Sequence, residues 1–292
     1  MSSAAQASVN KAAHLGPAVI NAFSWPRFMA LLRVDMAERW RSYAAFMAGV
    51  AVVHVLVLIL IFANAGASPM RYSSQMGFYY GFLLAFGAAF ACLLYAPLQR
   101  QGSVLLALVL PASSLEKWLH AAWVLLVFFP LAYTLTFLLT YVPANALAAA
   151  AESAQVARRV AMGETVIGVG FSLFLPLLPL APKGQVALDA QMFFIWCYWI
   201  LMGFAAFSLV LFRRAAAIKT LGLALVVALL SIMVMSMSSG HGRFDALALW
   251  LSARGRANMG ALEVMATLLF WLVVPVSLWW ASFRAWRERD LA

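Results

Sequence analysis

Charge is scarce in this 292-residue chain. Only 10% of its residues are Asp, Glu, Lys or Arg, against about 25% in a soluble domain, and 65% are hydrophobic. That balance excludes an ordinary soluble fold. Acid is scarcer than base, with ten acidic against twenty basic residues. Asp35, Glu38, Glu116, Glu152, Asp189, Asp245, Glu288 and Asp290 lie away from the long apolar runs, and Glu164 and Glu263 only at run edges. A transporter that draws on an ion gradient needs acids at membrane depth, so the composition argues against that class. Cysteine is limited to Cys92 and Cys197, both inside apolar runs and without CxxC spacing, which argues against a thiolate metal site or a disulfide framework. No Gly-Lys dipeptide occurs, so there is no GxxxxGK[ST] phosphate loop, and there is no HExxH. The nearest approach to a hydrolase motif is Ser238, Ser239 and His241 in SSGHG. Neighbours on one glycine-rich loop lack a fixed base–nucleophile geometry. The chain is therefore expected not to be an enzyme, to have no catalytic residues, and to bind no metal or cofactor of its own.

Apolar runs of 18 residues or more are abundant, and each is a candidate transmembrane helix. The expected fold is an all-α integral membrane protein with six transmembrane helices, an N-terminal interfacial elbow helix and a proline-rich re-entrant or interfacial segment. Residues 1–22 are small and polar and read as a loose cytoplasmic leader. Residues 23–42 form the elbow, with Trp25, Phe28 and Trp40 on the apolar side and Arg41 on the polar side. On this reading Arg27, Glu38 and Arg41 lie on the far side, and Arg39 is a misfit on the apolar one. The six-span domain is 43–283, with spans at about 44–63, 76–96, 119–141, 192–212, 217–237 and 261–283. His54 falls in the middle of the first span and Glu263 at the edge of the last, which makes them candidates to line a path. Gly77, Gly81 and Ala85 keep a spacing suited to close helix packing. Pro130 is expected to kink the third span, and 143–163 to form a short separate outer helix.

The outer segment 143–190 holds the one ambiguous run. Pro176, Pro179 and Pro182 interrupt Val166–Pro182, and a proline costs about 3 kcal/mol in a helix interior. If that run does not cross, both termini fall on one side. Thirteen of the twenty Lys and Arg residues then share that side, including the tail 284–292, and positive-inside makes it cytoplasmic. The basic residues flank apolar runs, which fits anionic lipid headgroups and not nucleic acid. The expected location is a bacterial inner membrane. The outer loop 238–260 is glycine-rich and reads as re-entrant.

The connector 97–118 stands out. Gly102 and Ser103 open an apolar stretch, Pro111 ends it, and Ser113 or Ser114 can cap a new helix beginning LEKW. With this layout the chain resembles the permease subunits of type 2 ABC exporters. LPASSLEKW (Leu110–Trp118) and FSLVLFRRAAAIKT (Phe207–Thr220) are similar to segments that recur in a bacterial group of such permeases. The resemblance implies a coupling element of Gln99, Arg100, Gln101, Gly102, Ser103, Leu115, Glu116 and Lys117. It also implies an ABC ATPase partner that supplies ATP and Mg, and a second permease copy in a homodimer. The longer outer segment 143–190 departs from the simple form of that family. A different class of function suits the same features: a membrane subunit that transports nothing, such as an immunity, scaffold or sensor protein.

Overall fold

The computed structural model describes residues 23–65, 69–70, 72–96, 112–165, 174–176, 186–212, 218–219 and 272–291. Among the described residues the secondary structure is helical. The helices are α1 (Trp25–Ala65), α2 (Tyr72–Tyr95), α3 (Ser114–Ala161), α4 (Val186–Leu211) and α5 (Val274–Leu291). Helices α1 to α4 contain stretches long and apolar enough to cross a membrane.

α1 corrects one expectation. The elbow and the first span are one helix of 41 residues. The reason is local: Arg27 to Ala48 contains no glycine or proline and is rich in Ala, Met and Arg, so nothing stops the helix at the boundary. At about 1.5 Å per residue α1 is about 60 Å long, twice the hydrocarbon thickness, so about half of it lies outside the slab. α3 corrects another. It continues through Pro143 to Ala161, so the outer helix expected at 143–163 is an extension of the third span. Near Pro130 the chain inserts a π-helical turn at Val124–Phe128. A widened turn there makes room for the pyrrolidine ring against the carbonyl one turn earlier.

Contacts fix the directions of the helices. Arg27 meets Glu116, Tyr43 meets Phe128, and His54 meets Tyr133, so α1 and α3 run in parallel. His54 meets Phe82 and Arg39 meets Leu94, so α2 runs against α1. Tyr80 stacks on Phe194, while Gly87 faces Tyr198 and Met202, so α4 runs with α2. Trp279 lies at Trp199, and Trp286 at Tyr95, so α5 runs the same way. α3 and α4 are antiparallel. Between them in sequence, the described residues 174–176 tuck Phe174 fully inside, beside the Tyr72, Tyr79 and Tyr80 rings. The Phe174 backbone N–H donates to Gln75 Oε1 at 2.7 Å.

The core is aromatic. Phe129, Tyr133, Phe137 and Tyr141 recur every fourth residue on α3, all fully buried, and each ring stacks on the next. Helix spacing aligns them on one face. The glycines used for close approach are Gly87 and Gly203. A Cβ would come within 2.7 Å of Tyr198 at the first and 2.9 Å of Trp279 at the second. Gly77 and Gly81, expected to pack closely, are exposed and face open space among the described residues.

Candidate functional site: a buried charged junction at the foot of α1 and α3

Ser113 caps α3, as the residues ahead of LEKW lead one to expect. Its Oγ accepts the Glu116 backbone N–H at 3.2 Å, and Glu116 Oε2 accepts the Ser113 N–H at 2.8 Å, closing a capping box. The other carboxylate oxygen reaches a different helix. Glu116 Oε1 accepts the backbone N–H of Ser24 at 2.7 Å and the Arg27 guanidinium through Nε and Nη2, both at 3.1 Å. The Glu116 side chain is fully buried. Burial alone would raise its pKa. The N–H groups of Ser113 and Ser24 and the Arg27 charge outweigh that and hold it below the usual carboxylate value. One carboxylate thus ties the tip of α1 to the first turn of α3, at the C-terminal end of the connector 97–118.

A second cluster lies two turns along α1. Asp35 Oδ1 pairs with Arg39 Nε at 3.2 Å, and Asp35 Oδ2 accepts the Tyr43 hydroxyl at 2.9 Å. His120 Nε2 stands 3.4 Å from the same Oδ2, without hydrogen-bond geometry. Arg39 Nη1 also donates to the Leu94 carbonyl at 3.3 Å. Asp35 is buried. Burial pushes its pKa up, and His120, Arg39 and Tyr43 together bring it below the ordinary value. α5 closes the junction from the other side. Trp118 Nε1 donates to Ser282 Oγ at 2.9 Å, and the Trp118 ring meets Phe283.

Of the coupling residues expected from sequence, Gln99, Arg100, Gln101, Gly102 and Ser103 lie outside the described residues, as does Glu263. So do the span 217–237, except 218–219, and the loop 238–260. Leu115 and Lys117 are half-buried. Glu116 is brought to a junction inside the chain, and its carboxylate faces Arg27. Arg27 therefore points inward, against the expected far side. Its guanidinium reaches back to a carboxylate that a helical wheel of α1 alone cannot include.

Trp25 and Trp40 are exposed, and the Arg41 guanidinium lies 5.7 Å from the Trp40 ring centre. Phe28 is buried, packed under Trp25 and Phe23. It belongs to the protein interior at the tip of α1 and not to the membrane face. His54 is also fully buried. Phe78, Phe82, Phe86, Tyr133 and Phe137 surround its ring, with the Tyr133 hydroxyl 3.4 Å from Nε2 and Thr140 Oγ1 3.5 Å from Nδ1. It fills an aromatic cage and lines no cavity among the described residues. No cluster of His, Cys, Asp and Glu able to hold a metal occurs among the described residues.

Sequence reasoning missed Asp35, Arg39 and His120. One signal was present: Arg39 sits on the apolar face of α1, four residues after an acid, and a charge on an inward face calls for a buried partner. The chain matches no protein-family model, no curated protein and no solved structure.

Proposed function

We propose that the chain is the membrane subunit of a type 2 ABC exporter in a bacterial inner membrane. It crosses six times with both termini cytoplasmic, pairs with a second copy of itself, and is driven by a separate ATPase that binds ATP and Mg. The observation that carries this reading is Glu116. A fully buried carboxylate outside the apolar span joins two helices at the C-terminal end of the connector 97–118. A partner that pushes on that connector would push on α3, and through Glu116 and Asp35 on α1 as well. Force passes only through contacts that do not give, and buried, fully bonded charges are of that kind. The six-crossing topology draws support from the parallel run of α4 and α5, because two parallel neighbours need a return passage between them. The run at 217–237 has the length and apolarity for it.

The coupling role of Glu116 is accordingly internal. It fixes the element that a partner would move, and contact with the partner falls to Gln99–Ser103 and the half-buried Leu115 and Lys117. The test is affinity purification of the tagged chain in mild detergent, mass spectrometry of what accompanies it, and an ATPase assay on the eluate. A stoichiometric nucleotide-binding subunit with activity is the expected result. A single inactive chain, in a detergent that preserves known complexes of this kind, would overturn the transporter reading in favour of a membrane subunit that moves nothing.

A further inference from the structure

The outward face of α1 changes character at one point. From Arg41 it continues through Ala45, Ala48, Val52, Val55 and Ile59, all exposed and spaced by three and four residues, so they form one column along the helix. The apolar part, residues 44–63, is about 30 Å long, the thickness of the hydrocarbon slab. Arg41 is one turn below its foot, at the depth of the lipid phosphates. Two features prepare it for an anion. Its guanidinium is already positioned near the exposed Trp40 ring, at 5.7 Å from the centroid. Among the described residues it enters no ion pair, although Glu38, also exposed, is three residues away. The turn that carries it is held from behind, where Arg39 bonds Asp35 and the Leu94 carbonyl. The two arginines divide the work, one pinning the turn to the bundle and the other facing lipid.

We infer that Arg41 and Trp40 form a binding site for the phosphate headgroup of an anionic phospholipid. The guanidinium lies on the phosphate with the indole beside it. Arg33, exposed two turns further from the slab, carries the same charge but lies beyond headgroup depth. The site stands whether or not the chain transports anything.

The experiment is native mass spectrometry of the full chain in detergent, titrated with phosphatidylglycerol or phosphatidylcholine, for the wild type and for Arg41→Gln, Trp40→Leu and Arg33→Gln. All three positions are exposed, so each variant should fold, and circular dichroism checks that. Retained phosphatidylglycerol should fall about five-fold in Arg41→Gln, the effect of one basic residue near the surface. It should fall to a smaller extent in Trp40→Leu and stay within two-fold of wild type in Arg33→Gln. Phosphatidylcholine should bind weakly and equally to all four. Equal losses in Arg41→Gln and Arg33→Gln would mean diffuse attraction without a site, and would overturn the assignment. Displacement of the lipid by millimolar inorganic phosphate would overturn it too, by showing a free-phosphate site.

Discussion

Replacing Glu116 tests the junction most directly. In Glu116→Ala the buried Ser113 N–H loses its acceptor, and an unsatisfied buried donor costs about 1–3 kcal/mol. The Arg27 pair also goes, but Arg27 is 32% exposed, so water recovers much of it and about 0–1 kcal/mol is lost there. The Ser24 N–H is only half-buried and finds water. The sum is about 1–4 kcal/mol, acting locally on the tip of α1 and the first turn of α3. Converted at about 1.4 kcal/mol per factor of ten, local opening should rise about five-fold to several-hundred-fold. Hydrogen exchange of peptides covering 23–33 and 112–123 measures this, with peptides from 129–141 as an unchanged reference. Glu116→Gln keeps an acceptor oxygen and should lose less than half as much. Arg27→Ala should lose least, because it leaves the capping box intact. The order Ala, then Gln, then Arg27→Ala is the signature of a carboxylate that serves both a cap and a bridge. If Arg27→Ala loosened both segments as much as Glu116→Ala, the cap would have no share in the effect; if Glu116→Ala left 23–33 unchanged, the bridge described above would not exist.

The same carboxylate sets a pH dependence. Its pKa is held down in the fold, so the bridge is complete above the ordinary carboxylate value and is lost as pH falls through the lowered one. Exchange at 112–123, corrected for the intrinsic rate, should therefore accelerate only in strongly acidic buffer, and Glu116→Gln should show no such step. Gly87→Ala should destabilise by about 1–3 kcal/mol, because its Cβ would fall 2.7 Å from a Tyr198 ring that is anchored by a bond to the Leu125 carbonyl. Gly203→Ala should do the same against Trp279, while Gly81→Ala should be neutral or stabilise by up to about 1 kcal/mol through helix propensity; thermal melts in detergent rank the three. His54→Ala should cost about 2–5 kcal/mol by leaving a cavity inside five aromatic rings, read as a lowered melting temperature.

What could be read from the chain alone followed from signals that are local or periodic. The apolar runs mark the helices of α1 to α4 because a bilayer demands length and hydrophobicity and little else. The start of α3 was legible for a similar reason, since a serine before LEKW offers a cap and the glutamate three places on completes it. The misses involve joins between distant residues. The outer helix expected at 143–163 is continuous with the third span: α3 runs through Pro143, and Asn145, two residues on, accepts the Met70 N–H and donates to the Tyr141 carbonyl. Gly77 and Gly81 read as a packing stripe, but the stripe names no partner, and the tight contacts went to Gly87 and Gly203.

Arg27 and Arg39 carry this furthest. On an amphipathic wheel one is a surface charge and the other an error. In the fold the first closes on Glu116, 89 residues away, and the second on Asp35 and on the backbone of α2. Ordinary surface arginines would leave α1 free to swing at its base. Arg27 ties α1 to the first turn of α3, and Arg39 ties it to α2. A device that must turn a push on a short segment into movement of a bundle needs such a footing. A membrane anchor that transports nothing needs only the apolar columns above it. On the transporter reading proposed above, the charges at the base of α1 are the part of this chain that coupling has most reason to keep.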